Sequence, residues 1–298
     1  MSHLAIILII VSALIHAGWN LLSKRSSPSA AFFFVANGIG AWIFFPWVAA
    51  YPGIVYTMPN RTWLLLLLTG FFQAVYCTAL AAAYRHGDLS ISYPVARSLP
   101  VILVPFVTFL LGRGKLLGTV FMIGAALILA GGTLVSVDEL RRFKERPFLK
   151  SALPMAVWAA LGTTGYSMVD DRALRLVRES LGGLYGTIPI TCVYGFLEAI
   201  TCTTWLGIFI LSGTGWRRVG PVSLRWAAGT GVLIYLTYGM VLLSMAYARD
   251  VSLIVAFRQV SILAGAFMGI LFLKEPSPVT KIGGLAIQIT GLVLVAFS

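Results

Sequence analysis

Charge is what this chain lacks most. Only 11% of its 298 residues are Asp, Glu, Lys or Arg, where a soluble domain carries about 25%. Acids are scarcest, with 10 Asp and Glu against 22 Lys and Arg. A soluble globular domain is thereby excluded. Cysteine is also rare. Cys77, Cys192 and Cys202 each fall inside an apolar run with no metal-ligand spacing, and their odd number argues against a disulfide framework. The histidines, His3, His16 and His86, are dispersed, so the clustered acid, base or metal set that a membrane-embedded transferase needs is missing. No enzyme activity, catalytic residue, metal or cofactor is expected. Barrel strands are excluded because the apolar runs are too long. The N-terminus does not read as a signal peptide: it has no basic leader, and its apolar stretch continues into His16, Trp19 and Asn20.

Hydrophobicity is what remains. Apolar residues make up 59% of the chain and the mean hydropathy is +0.91. A spanning helix needs about 20 mostly apolar residues. Ten runs qualify: Leu4–Leu22, Ala30–Ala50, Trp63–Ala83, Ile91–Leu111, Lys115–Ser136, Ser151–Asp170, Leu184–Leu211, Arg225–Tyr247, Ser252–Leu273 and Val279–Phe297. The net charge of +12 lies in the short loops between them. Such charge meets lipid headgroups and sets topology, so the bilayer is the expected partner and nucleic acid is not.

The two halves echo each other. Tyr76, Leu80, Asp88, Ser90, Arg97 and Pro100 recur as Tyr238, Leu242, Asp250, Ser252, Arg258 and Ser261, at an offset of about 162 residues that falls to about 161. Gly124 and Gly131 recur as Gly284 and Gly291. The expected fold is an all-α membrane protein of about ten transmembrane helices in two five-helix repeats, residues 1–137 and 151–298. A basic linker, 138–150, joins them. An odd number of helices per repeat inverts the second about an axis in the membrane plane, and the site of such a protein is expected at the midplane between repeats. Loops on the side of Lys24 and the linker hold about 13 Lys and Arg, and those on the other side about 7, which places both termini outside by the positive-inside rule.

Polar residues inside the spans mark candidate sites. Ser12, His16 and Asn20 share one helical face, with Trp19 at its edge. They read as interhelical glue or as cavity lining. Gln73 and Tyr76 in helix three are matched by Tyr235 and Tyr238 in helix eight, which fits a shared lumen. Arg97 and Arg258 lie at equivalent depths, about 10 Å into helices four and nine. An arginine there faces the bundle interior, water or, by snorkelling, the interface. Paired, the two would grip a carboxylate, phosphate or phosphonate, with Ser98 and Gln259 adding donors. Glu198 is an intramembrane acid and, with His16, a candidate proton carrier. Asp170 and Asp171 read as solvated at a helix end. Pro94, Pro100 and Pro105 would let helix four bend. The glycines of helices five and ten read as packing faces, within a monomer or between the subunits of a homodimer.

The stretch Gly87-Asp-Leu-Ser90 through Pro100 to Gly112-Arg-Gly-Lys115, with its echo Asp250-Val-Ser252 to Leu273-Lys-Glu-Pro276, resembles the drug/metabolite transporter superfamily, EamA type, over nearly the whole chain. Within it, Trp158-Ala-Ala and the spacing from Pro100 to Gly112 are similar to the YddG-type amino acid exporters. The resemblance implies a basket-like ten-helix fold in the inner (plasma) membrane, both termini cytoplasmic, and export of small metabolites by alternating access. It also implies a central cavity lined by helices one, three, four, six, eight and nine, with Trp158 among the lining residues. Where those exporters carry tyrosine before the helix-four proline, this chain carries Arg97, and Arg258 in the second half. That favours an anionic solute, a carboxylate- or phosphonate-bearing zwitterion. The opening His16-Ala-Gly-Trp-Asn20 resembles relatives associated with phosphonate metabolism. The rival readings are a membrane-embedded enzyme and an assembly subunit.

Overall fold

The computed structural model describes residues 1–25, 29–86, 96–112, 118–135, 149–213, 222–272 and 277–298. Asp88, Ser90, Pro94, the loop motifs at 113–115 and 273–276 and most of the 138–150 linker lie outside the described residues.

Every element among the described residues is helical. In chain order they are α1 (His3–Arg25), α2 (Ala30–Ala41), α3 (Phe45–Ala50), α4 (Pro52–Tyr56), α5 (Asn60–His86), α6 (Pro100–Leu110), α7 (Thr119–Val135), α8 (Leu149–Leu181), α9 (Thr187–Ser212), α10 (Leu224–Ser244), α11 (Val251–Phe257), α12 (Val260–Phe272) and α13 (Val279–Ala296). Five of these, α1, α5, α9, α10 with its 3₁₀ extension, and α13, are long and apolar enough to cross a bilayer. The surface is inverted relative to a soluble protein. Leu64, Leu67, Phe106, Phe109, Met122, Ile289 and Val293 point outward, whereas His16, Asn37, Gln73, Arg97, Asp170, Glu198 and Arg258 are buried. Lipid is the solvent that rewards this arrangement: in hydrocarbon, helices satisfy their own backbone and polar side chains must find partners inside.

Four expected spans change shape. Helix two, expected to run to Ala50, stops at Ala41; a turn follows, and Pro46 and Pro52 each start a short helix because they have no N–H to continue a ladder. Helix four turns at Leu99, just before Pro100, for the same reason. Helix six runs 33 residues, to Leu181, well past the expected end at Asp170. Helix nine is broken at Arg258 and Gln259, between α11 and α12. No proline or glycine stands at that break. Instead, the Arg258 carbonyl accepts from the Ser261 N–H at 3.2 Å, the Ser261 hydroxyl at 2.9 Å and Arg97 Nη2 at 3.0 Å. Inserted side chains of this kind kink helices.

Packing follows the small residues. α5 lies along α8, α1 along α10, α2 along α10, α5 along α9, and α7 along α13. In the α7–α13 seam, a Cβ on Gly131 would lie 2.5 Å from the Gly284 carbonyl oxygen, and one on Gly291 2.6 Å from that of Gly124. Only hydrogen fits there. The glycine faces of these helices are therefore occupied by each other within the chain, and a homodimer through them would have to use their other sides.

A polar cavity between α1, α5, α8, α10 and α11

A cavity of about 40 Å³ lies among these helices and α2. One wall is aromatic. Tyr166 of α8 stands edge-to-face with Tyr76 of α5, centroids 5.8 Å apart, and with Tyr238 of α10, centroids 5.4 Å apart. Arg258 caps this stack. Its Nη2 donates to the Tyr166 hydroxyl at 3.2 Å, and its Cζ is 5.8 Å from the centroids of both Tyr166 and Tyr238. Arginine over a ring face is favourable, more so when desolvated. Its Nη1 is buried with no hydrogen-bond partner among the described residues.

His16 and Trp19 of α1 form the facing wall. The Trp19 indole N–H donates to His16 Nδ1 at 3.1 Å, which sets the imidazole's orientation. The floor is a pair of matched hydrogen bonds. The Gln73 amide donates to the Glu198 carboxylate, and Tyr235 donates to Asn37 Oδ1 at 2.6 Å. Asn37 is itself aimed by donation to the Phe33 carbonyl at 2.7 Å. Cys77 and Cys202 flank it, at 4.0 Å and 3.8 Å from its amide atoms.

Of the residues singled out in the sequence, His16, Trp19, Gln73, Tyr76, Tyr235, Tyr238 and Arg258 line this cavity. Four do not. Arg97 turns to the break in helix nine, donating to the Arg258 carbonyl and, at 2.7 Å, to the Ser261 hydroxyl. It is buried beside the cavity wall and reaches Arg258 through the backbone. Asn20 donates to the His16 carbonyl at 2.8 Å and thereby braces α1. Gln259 donates to Val255 one turn back at 3.0 Å. Trp158 is a correction: it is 55% exposed on the outer face of α8, where an amphipathic ring suits the bilayer better than a packed lumen. Glu198 is deep, as expected, one side chain behind the lining.

Asp170 is the larger correction. It is fully buried, because α8 continues past it for eleven residues, to Leu181. Tyr194 donates to its Oδ1 at 2.7 Å and Tyr238 to its Oδ2. Asp171, next along the helix, is partly exposed and pairs with Arg175 at 2.9 Å. Sequence reasoning also missed Tyr166, Phe33, Asn37, Ile234 and Thr237 as lining. Tyr166 and Asp170 stand four apart, as do Phe33 and Asn37. A mid-helix polar residue with an aromatic one turn away was the available signal.

No family model matches the chain, and no curated protein matches it. Among solved structures, one crystal structure superposes on 98% of this chain and 97% of its own, with a TM-score of 0.69 at 18% identity. At that identity the likeness is one of fold alone. The fold is thus that of a helical membrane-embedded protein, shared end to end with a structure already determined.

Proposed function

We propose that the chain is a secondary transporter of small organic metabolites. Its solutes are amino acids or related carboxylate and phosphonate zwitterions, moved across the inner (plasma) membrane by alternating access. The observation that carries this reading is Arg258, a buried guanidinium on a cavity wall with one nitrogen still free to donate. A buried charge of this kind favours an anion that accepts from it. The tyrosines around it supply apolar faces for the rest of a solute.

The packing supports the two-repeat arrangement. Exchanging each helix of the first half for its counterpart in the second turns α5–α8 into α10–α1 and α2–α10 into α9–α5, and leaves α7–α13 and α2–α9 unchanged. All of these pairs are in contact. The floor obeys the same exchange: Gln73 and Glu198 correspond to Tyr235 and Asn37 at the repeat offset. A cavity at the pseudo-twofold axis, closed to about 40 Å³, fits a carrier that opens to load. The drug/metabolite transporter resemblance agrees with this reading and adds export as its direction.

The test is counterflow in proteoliposomes loaded with a panel of amino acids and phosphonates. Exchange of at least one anionic zwitterion, lost in a folded Arg258→Gln protein, is the expected result. Exchange that survives Arg258→Gln would detach the anion site from this arginine.

A further inference from the structure

Asp170 is the buried charged group that the solute reading leaves without a task. Its two oxygens meet two hydroxyls, Tyr194 at Oδ1 and Tyr238 at Oδ2; ionised, it accepts from both, and with a proton it can donate to one of them instead. Asp170 makes no direct ion pair among the described residues. Tyr238 stands between it and Arg258: the hydroxyl points back to Asp170, while the ring lies under the guanidinium and forms part of the cavity wall. A negative and a positive group thus face each other across one tyrosine. The other ionisable groups around them are Tyr76 from α5, Tyr166 on α8, Tyr194 and Glu198 from α9, His16 from α1 on the Arg258 side, and Arg97, whose guanidinium donates to the Arg258 carbonyl. Further along α8, Asp171 and Arg175 are paired with each other, and Arg178 donates to Thr191 and the Leu242 carbonyl.

We propose that Asp170 is the proton-carrying residue of this cavity, taking up one proton as an anion binds Arg258 and releasing it as the anion leaves. The inference rests on the anion-site reading above. While Asp170 is ionised, it and Arg258 offset each other across Tyr238, and an incoming anion is a second negative charge on that one guanidinium. A proton from water, forming an O–H bond at Asp170, removes that excess. With the proton on Oδ2, the acid donates to the Tyr238 oxygen, and the Tyr238 hydrogen turns toward the cavity as a donor for the anion. Apart from that one O–H bond only hydrogen bonds are exchanged, and on release the bond breaks and the proton returns to water. Proton and anion are therefore bound together and cross together. An inward proton gradient drives uptake in this scheme, the reverse of the export that the family resemblance implies. Glu198 is a weaker carrier because its link to the cavity is the Gln73 amide, which has no hydroxyl to reorient.

The experiment is calorimetric titration of the purified full-length protein with glycine, acetate and 2-aminoethylphosphonate. Each is run in two buffers of different protonation enthalpy, at a pH above the probes' own acid titrations. The wild type is expected to take up about one proton per anion bound. Asp170→Asn is expected to bind with no proton uptake, and Glu198→Gln to take up the proton as the wild type does. Binding to the wild type without proton uptake overturns the proposal and leaves the anion site standing. Failure of all three probes to bind overturns the anion site and this proposal with it. Loss of the proton in Glu198→Gln but not in Asp170→Asn moves the role to Glu198. Where Asp170→Asn does not fold, Tyr238→Phe decides: its proton uptake should fall by at least half, and an unchanged count overturns the link.

Discussion

Arg97 and Arg258 match each other at the sequence offset between the two halves, yet the fold points their side chains at different partners. Arg258 lies over two tyrosine rings with one nitrogen free to donate, at the wall of the cavity. Arg97 points across to helix nine and holds its break through the Arg258 carbonyl and the Ser261 hydroxyl. The difference begins one turn further on. Helix four has Pro100 where helix nine has Ser261. Proline breaks its own ladder by lacking an N–H, so helix four needs no outside group to turn at Leu99. Helix nine has no such residue, and its break is stabilised by Arg97 from the neighbouring helix. Equivalence in sequence therefore predicts equal depth but not equal direction.

The largest expected effect breaks this comparison on the structural side. Arg97→Met removes at least the hydrogen bonds to the Arg258 carbonyl and the Ser261 hydroxyl from a buried charged donor, at a cost of about 3 kcal/mol in stability. Thermal unfolding in detergent should show the loss, and solute binding in whatever protein remains folded should be nearly unchanged. A stable Arg97→Met protein that no longer binds would place both arginines in the site.

On the other side, Arg258→Gln gives up the Tyr166 hydrogen bond and the ring contacts and should lower stability as well. In the folded protein it should also weaken anion binding about ten- to a hundredfold, the worth of one charge-assisted contact. Arg258→Lys should recover little of it, because lysine keeps the charge but loses the planar fork and the stacking on Tyr166 and Tyr238. Titration calorimetry separates these outcomes. An amide in place of the solute's carboxylate should bind wild type poorly and Arg258→Gln no worse.

The long apolar runs made the all-helical character and the five longest spans legible without coordinates. The glycines that recur in the sequence, Gly124 and Gly131 with Gly284 and Gly291, marked a close helix seam, in which Gly124 meets Gly291 and Gly131 meets Gly284. What escaped had local physical causes. Asp170 read as solvated because a window of about 20 residues ends there. Nothing in that window shows that the helix continues, or that Tyr194 and Tyr238 arrive from two other helices to meet the carboxylate. Trp158 was carried inward by resemblance, although it sits off the face that holds Tyr166 and Asp170. Side-chain direction at Arg97 depends on a break in another helix about 160 residues away.

A third prediction removes the glycine seam from the comparison. In Gly131→Ala the new Cβ meets the Gly284 carbonyl oxygen at 2.5 Å and the Gln288 backbone nitrogen at 2.6 Å. Backbone cannot rotate out of the way as a side chain can, so the cost is about 1–2 kcal/mol of overpacking. Gly18→Ala, where nothing lies within 4 Å, is the matched control and should be neutral or stabilising. Neither should alter the number of anions bound per folded molecule. If Gly131→Ala reduced affinity at unchanged stability, α7 would have to communicate with the cavity, and the division between packing helices and site helices would be wrong.

The smallest expected effect tests the two halves at the cavity floor, where their side chains differ most in chemistry. Tyr235 donates to Asn37 as Gln73 donates to Glu198. Tyr235→Phe removes one neutral hydrogen bond and keeps the ring, which packs edge-to-face on Phe44 at 6.1 Å. Asn37 still donates to the Phe33 carbonyl and keeps the Cys202 thiol beside its Oδ1. The loss should be about 1 kcal/mol in stability. Gln73→Leu should cost more, because it strands a carboxylate that has one oxygen already without a partner among the described residues. Equal losses from the two substitutions would mean that Glu198 is neutral and interchangeable with Asn37. The wider the gap between them, the stronger the case that the floor carries charge at Glu198 and not at Asn37.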